Sequence, residues 1–161
     1  MQSSVARPPP WPLNGHTLVG LDMAVLTDIY ISTPADALTY DRDPRRFDGA
    51  TLSAKGVTDL ELSTLWCVCT GREWDVKLLD EFKHLMEEDG GERIIAELPN
   101  ELVSHLANTD EQRLREVASA WAATEEISTQ PANIEPYLRD LVALAKRASA
   151  DSQRLYLWMC V

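Results

Sequence analysis

A pair of glutamates near a tryptophan is the clearest candidate for a catalytic or ligand-binding carboxylate. Trp121, Glu125 and Glu126 fall within residues 109–127, TDEQRLREVASAWAATEEI, where apolar residues recur every three or four positions. If this stretch is a helix, Glu125 lies about 20° from Leu114 around the axis, and Glu126 lies about 120° from it. A carboxylate in an apolar pocket has a raised pKa and can act as a general acid or base. One hypothesis is therefore a small enzyme or ligand-binding domain with Glu125 in its pocket.

The position of Glu125 also has a purely structural interpretation. The helix end can emerge into water there, or the carboxylate can pair with an arginine such as Arg147 or Arg154. Asp28, an acid inside the otherwise apolar stretch 24–32, offers the same choice between a site residue and an exposed or paired acid. The two interpretations differ in one observable, which is whether a cleft contains the carboxylate.

A second candidate site is a tryptophan between two acids in the polar segment 71–75, GREWD. Trp74 stands between Glu73 and Asp75, and tryptophan is concentrated at the energetic centres of protein interfaces. An exposed Trp74 would be a recognition anchor. The alternative is that Trp74 packs as a hydrophobic staple at the start of the next helix, with Asp75 as its N-cap.

The negative charge is concentrated in the middle of the chain. The formal charge is -11, and residues 59–126 contain 17 acids against 6 Lys plus Arg, whereas the remaining residues contain 9 of each. A field of this sign opposes binding to nucleic acid or an anionic membrane and speeds encounter with a basic protein. We therefore expect an interaction module that masks a basic partner, as an immunity protein or antitoxin does. The alternative is a surface whose charge serves only solubility.

Metal and cofactor chemistry have no support in the sequence. Cys67 and Cys69 would point about 160° apart on a helix, and neither they nor Cys160 form a C-x-x-C pair. The glycines form no phosphate-binding loop, and neither G-x-S-x-G nor H-E-x-x-H occurs. We predict no metal and no cofactor. The odd number of cysteines and the lack of a signal peptide predict a cytoplasmic protein.

The elements that position these residues are mostly helices. Thr58 with Glu61 has the spacing of a capping box and predicts a helix over 58–71, and Thr109 with Gln112 predicts one over 109–127. A further helix is expected to follow Asp75 and end at Gly90. It rests on apolar spacing that continues from Trp74: Leu78, Leu79, Phe82, Leu85 and Met86. The remaining helices are expected at 33–40, 101–107 and 134–150.

Two stretches near the ends of the chain have the composition of interior strands. Residues 24–32 and 155–161 are apolar on both faces, which is typical of strands covered on both sides. Residues 50–57 form a weaker strand candidate. We expect an α+β fold in which five or six helices pack on a small sheet that pairs the N-terminal and C-terminal strands. Residues 1–22 are proline-rich and predict a flexible leader before a single globular domain at 23–161.

Overall fold

A five-stranded antiparallel sheet forms the centre of the computed structural model, which describes residues 25–161. The strands are β1 (Leu26–Ser32), β2 (Thr51–Lys55), β3 (Lys83–Glu88), β4 (Arg93–Glu97) and β5 (Arg154–Cys160). Their order across the sheet is β2-β1-β5-β4-β3. The predicted leader at residues 1–22 lies outside the described part of the chain.

The two strands that were predicted to pair, β1 and β5, are neighbours at the middle of this sheet. β1 and β5 are antiparallel, with a register that runs from Leu26 opposite Cys160 to Ser32 opposite Arg154. Most of their side chains are apolar on both faces, and a buried core covers each face. The weaker strand candidate at 50–57 forms β2 and pairs with β1, whereas the β3–β4 hairpin makes the sheet larger than expected beyond β5.

Four α-helices accompany the sheet in the described residues. They are α1 (Asp59–Thr70), α2 (Asn100–Ala107), α3 (Glu111–Ala122) and α4 (Pro131–Ala150). α4 packs across β1, β2 and β5 and also contacts α2 and α3, while α1 contacts α2 and α3. None of the helices within residues 25–161 is both long and apolar enough to cross a bilayer. The α+β class is as predicted, with four α-helices instead of five or six.

The two faces of the sheet bury different side chains. Ile29 and Leu157 point into the larger core beneath the helices. Tyr30 and Tyr156 alternate with them and point into a smaller, aromatic core on the other face. Short 3-10 helices at Ala37–Asp41 and Pro44–Phe47 contribute to this second core, and the first of them overlaps the short helix expected at 33–40.

The expected helix between Asp75 and Gly90 is wrong. The chain forms a 3-10 helix at Val76–Glu81 and then β3, and a register shift falls between His84 and Met86. Spacing alone cannot separate these states, because a short apolar run fits a buried helix turn and a strand equally well. The pairing of β3 with β4 selects the strand, and the sequence of residues 83–88 alone does not reveal this pairing.

The central helix is shorter at both ends than the predicted 109–127. At its start, Asp110 is the N-cap and its Oδ1 accepts from the backbone N–H of Arg113 over 2.8 Å. The expected capping box of Thr109 and Gln112 does not form, since the Thr109 hydroxyl donates to the carbonyl of His105 over 2.7 Å. Thr109 is thereby part of the end of α2 instead of the start of α3.

The far end of α3 stops at Ala122 because the chain turns back toward the core. The backbone N–H and hydroxyl of Thr124 both donate to the Trp121 carbonyl, over 3.1 and 2.7 Å, which removes that carbonyl from the helical pattern. Ser128 has a positive φ of 45°, and the turn buries Ile127 completely. Burial of Ile127 therefore takes residues 123–127 off the helix and moves Glu125 away from its expected position.

Candidate functional site

The candidate site is built on the turn at residues 71–75, which follows α1. Gly71 ends α1 in the left-handed conformation, with φ of 74°, and its N–H donates to the carbonyl of Cys67 over 2.8 Å. Asp75 begins the next 3-10 helix, and its carboxylate accepts from the backbone N–H of Lys77 over 2.9 Å. Between them, Trp74 remains 43% exposed.

Trp74 is held in place although it is exposed. Its indole N–H donates to the hydroxyl of Ser63 over 2.8 Å, and Ser63 is a fully buried residue of α1. The Ser63 hydroxyl donates in turn to the carbonyl of Leu60 over 2.6 Å. The ring is therefore fixed at one edge and open to solvent over much of its remaining surface. The alternative predicted for Trp74, a buried staple at the start of an α-helix, would be less exposed, and the element that follows is a 3-10 helix.

One side of the turn borders a groove of about 650 Å³, which we call the acidic groove. Its walls carry four carboxylates and two cations: Glu73, Asp75, Glu81, Glu101, Arg72 and Lys77. The ring of Trp66 and the side chain of Leu78 supply its apolar part. The formal charge of the lining is thus -2, so the groove favours a cationic occupant.

Within the acidic groove, Arg72 covers the face of Trp66. The guanidinium carbon lies 4.6 Å from the ring centroid, which is the geometry of a cation–π contact. Glu101 completes the arrangement, because its Oε1 accepts from Arg72 Nη2 over 2.6 Å and from the Trp66 indole N–H over 2.8 Å. Phe82 packs edge-on to the Trp66 ring, with centroids 6.4 Å apart. The result is an aromatic face and a carboxylate that together bind a guanidinium group.

The other side of the turn borders a second, smaller depression of about 350 Å³, which we call the apolar groove. It lies between α1 and α3, and Trp74 forms one of its walls. Its lining is Thr64, Cys67, Val68, Gly71, Arg72, Trp74, Ala120, Thr124 and Glu126. Arg72 borders both grooves, so residues 71–75 form a ridge between an acidic and an apolar depression.

The structure separates the residues that the sequence grouped around Trp121. Trp121 is fully buried and lines neither groove, and its indole N–H donates to the Glu61 carbonyl over 3.1 Å and to the Thr64 hydroxyl over 3.2 Å. Glu125 is exposed in the turn after α3 and lines neither groove. Glu126 is half-buried and borders the apolar groove with Trp74.

The arginines proposed as structural partners of Glu125 are engaged elsewhere. Arg147 donates to the backbone carbonyl of Gly49 over 2.6 Å, and Arg154 pairs with Glu97. Glu125 is thus an acid that emerges into water, which is one of the alternatives that the sequence left open. Asp28 accepts from the hydroxyls of Tyr40 and Ser53 and is a partnered acid.

The thiols near the candidate site are not activated nucleophiles. Burial raises the pKa of Cys67, which lines the apolar groove, and raises the pKa of Cys69 to about 11, although Arg113 opposes the shift at Cys69. Both side chains are therefore protonated thiols at neutral pH. Within residues 25–161, no group of three or more His, Cys, Asp or Glu side chains is arranged to hold a metal ion.

The contact of Arg72 with Trp66 and Glu101 has no local signal in the sequence. Trp66 is a residue of α1 and is only 4% exposed, so most of its surface lies in the core. Glu101 lies 35 residues from Trp66 and 29 from Arg72, so no local spacing joins the three. Their proximity depends on the packing of α2 against α1.

Comparison of the chain with protein-family models, with curated proteins and with solved structures finds no match.

Proposed function

We propose that this chain is an acidic protein-interaction module that masks a basic protein partner, in the manner of an immunity protein or antitoxin. The observation that carries the proposal is Trp74, which is 43% exposed between Glu73 and Asp75. A large aromatic side chain that is fixed at one edge and flanked in sequence by two acids suits a partner whose contact surface is cationic. Glu73, Trp74 and Asp75 are the residues that we assign to the contact.

The two grooves support this assignment through their different chemistry. The acidic groove offers carboxylates to basic side chains, and the apolar groove offers Trp74 and Val68 to a neighbouring apolar side chain. Interfaces of this kind combine an apolar centre with charged margins, and long-range attraction speeds the encounter. The excess of acids between residues 59 and 126 has the sign that such an encounter needs.

We also propose that the protein works in the cytoplasm. Cys67, Cys69 and Cys160 are free thiols, and a protein with free thiols suits a reducing compartment. A masking protein of this type would meet its partner there before the partner acts. Nucleic acid and anionic membranes are not proposed as partners, because the charge of the chain opposes both.

We place second the alternative of a small enzyme or ligand-binding domain with Glu125 in a pocket. Glu125 lies off the helix, in an exposed turn, and borders neither groove. A Glu125→Gln variant should therefore behave as the unaltered protein in every binding assay. A loss of ligand binding or activity in that variant would restore the alternative.

Affinity capture from a lysate of the source cell tests the masking role. The full chain is immobilised, retained proteins are eluted with increasing salt, and they are identified by mass spectrometry. We expect one basic protein that is retained at low salt and released at high salt, because its attraction is screened. The decisive step is repetition with Trp74→Ala, which should lose the same protein.

Two matched variants show whether that loss is specific to the ridge. Leu38 is an exposed apolar residue and Glu88 an exposed acid, and neither lines a groove. Leu38→Ala and Glu88→Gln should both retain the partner. If all three variants retain it equally, or if retention is independent of salt, the proposed function is wrong.

A further inference from the structure

We infer that the corner formed by Trp66 and Glu101 is a docking site for an arginine of the partner, and that Arg72 occupies this site in the free protein. The inference rests on the proposed function and deepens it, since it names the side chain that the acidic groove recognises. In this arrangement Arg72 is an internal substitute for the incoming arginine and leaves when the partner binds.

The contacts of Arg72 show which chemistry the corner recognises. Its guanidinium group lies over the Trp66 ring at 4.6 Å, and Nη2 donates to Glu101 Oε1 over 2.6 Å. These contacts are a flat aromatic face and a hydrogen-bonded carboxylate, which suit a planar guanidinium better than the compact ammonium group of lysine. The site therefore selects arginine over lysine at equal charge.

Displacement of Arg72 is physically easy because it is a partly exposed side chain on the ridge. The Arg72 side chain is 42% exposed and that of Glu101 is 54% exposed, so the ion pair between them is largely solvated. Solvated pairs of this kind contribute little to stability. By contrast, the Trp66 ring and its hydrogen bond to Glu101 stay fixed, because Trp66 is almost fully buried in α1 and packs on Phe82.

The site also lies where a partner on the ridge would reach it. Arg72 is two residues from Trp74 and borders both grooves. The carboxylates of Glu73 and Asp75 line the same acidic groove and offer further contacts to the flanking basic residues of the partner. A displaced Arg72 can then extend toward the apolar groove, which it already borders.

Titration of the full chain with oligo-arginine and oligo-lysine peptides of equal length tests the inference. We expect the unaltered protein to bind oligo-arginine more tightly, by about threefold to tenfold, as expected for a stacked guanidinium group. The side-chain indole N–H signal of Trp66, assigned with Trp66→Phe, should shift with oligo-arginine and much less with oligo-lysine. Glu101→Gln should remove the preference, whereas Glu88→Gln should keep it.

The variant Arg72→Ala provides the sharper comparison, and Lys77→Ala is its matched control. Both variants remove one positive charge from the lining of the acidic groove, but only Arg72 covers Trp66. The affinity for oligo-arginine should be about five times higher in Arg72→Ala than in Lys77→Ala, because only the loss of the Arg72 side chain uncovers the Trp66 ring. Circular dichroism and thermal unfolding of each variant establish that it is folded.

The possible outcomes separate this inference from the proposed function. Equal affinity for the two peptides, or an equal gain in Arg72→Ala and Lys77→Ala, would overturn the arginine site while leaving the masking role in place. Failure of both peptides to bind at low salt would overturn the masking role together with the site. A preference for oligo-arginine that disappears in Glu101→Gln and grows in Arg72→Ala supports both.

Discussion

The indole N–H of Trp74 donates to the buried hydroxyl of Ser63, so an exposed aromatic residue is tied to the interior of α1. This bond fixes the ring without burying it. A tryptophan that is already ordered loses less conformational entropy when a partner binds than a freely rotating one would. The Ser63 contact therefore orders the Trp74 ring while 43% of its surface stays exposed, which would favour the proposed contact with a partner.

Trp74→Ala is expected to weaken partner binding by far more than it weakens the fold. The ring is 43% exposed, and Ser63 keeps its bond to the Leu60 carbonyl, so the loss of unfolding free energy should be about 1 kcal/mol. Urea denaturation measures this loss. Trp74→Phe keeps an aromatic ring but loses the bond to Ser63, and it should retain part of the binding. A global loss of structure in Trp74→Ala would instead assign Trp74 to the core.

Trp121→Phe is expected to behave in the opposite way, with lower stability and unchanged partner binding. Trp121 is fully buried, and its indole N–H donates to the Glu61 carbonyl and to the Thr64 hydroxyl. Loss of these bonds and of part of the ring should lower the free energy of unfolding by about 2 kcal/mol. Binding by the folded variant should be unchanged. A folded Trp121→Phe protein with impaired binding would return Trp121 to the site.

The C-terminal strand is expected to be essential for folding. β5 pairs with β1 on one side and β4 on the other, so deletion of residues 156–161 divides the sheet and should unfold the protein.

Point substitutions in the same strand should separate its buried and exposed positions. Leu157 is fully buried, and Leu157→Ala should lower the free energy of unfolding by about 2–5 kcal/mol, as measured by urea denaturation. Val161 is 59% exposed, and Val161→Ala, the matched control, should change stability by less than about 0.5 kcal/mol. A folded, cooperative deletion variant would contradict this role of β5.

Local signals in the sequence were sufficient to predict an element where its conformation depends on its own residues. The capping box of Thr58 and Glu61 forms as predicted, with the Glu61 carboxylate accepting from the Thr58 backbone N–H over 2.8 Å. The apolar residues on both faces of β1 and β5 also predicted two interior strands, and these strands pair. In both cases the deciding interactions were visible as residue types at fixed spacing.

The signals failed where distant segments decide the conformation. Residues 83–88 have helical spacing but form an edge strand, because β4 is available to pair with them. Residues 123–127 include an alanine and two glutamates, which favour a helix, yet the chain leaves the helix there and buries Ile127. That turn also removed Glu125 from the pocket expected for it. The guanidinium site was invisible for the same reason, since α2 brings Glu101 to Trp66 from 35 residues away.

The ion pair between α3 and α4 provides a pH-dependent prediction that is independent of the binding surface. The hydrogen bond from Arg139 holds the pKa of Glu111 below its ordinary value, and the charges of Arg139 and Arg115 add to this effect. Because the folded-state pKa is the lower one, the stabilisation is complete above the unfolded-state pKa. It is lost as the pH falls through the folded-state pKa of Glu111.

NMR titration of the Glu111 carboxyl carbon measures this shift directly. Arg139→Gln should raise the pKa of Glu111 toward its ordinary value, because it removes the donor of the strongest contact. Arg115→Gln, the control, should raise it less, since the Arg115 contact is longer, at 3.4 Å. The shift should shrink with added salt because the pair is exposed. If Glu111 titrates at its ordinary pKa in the unaltered protein, Arg139 does not hold α4 to α3 through this carboxylate in solution.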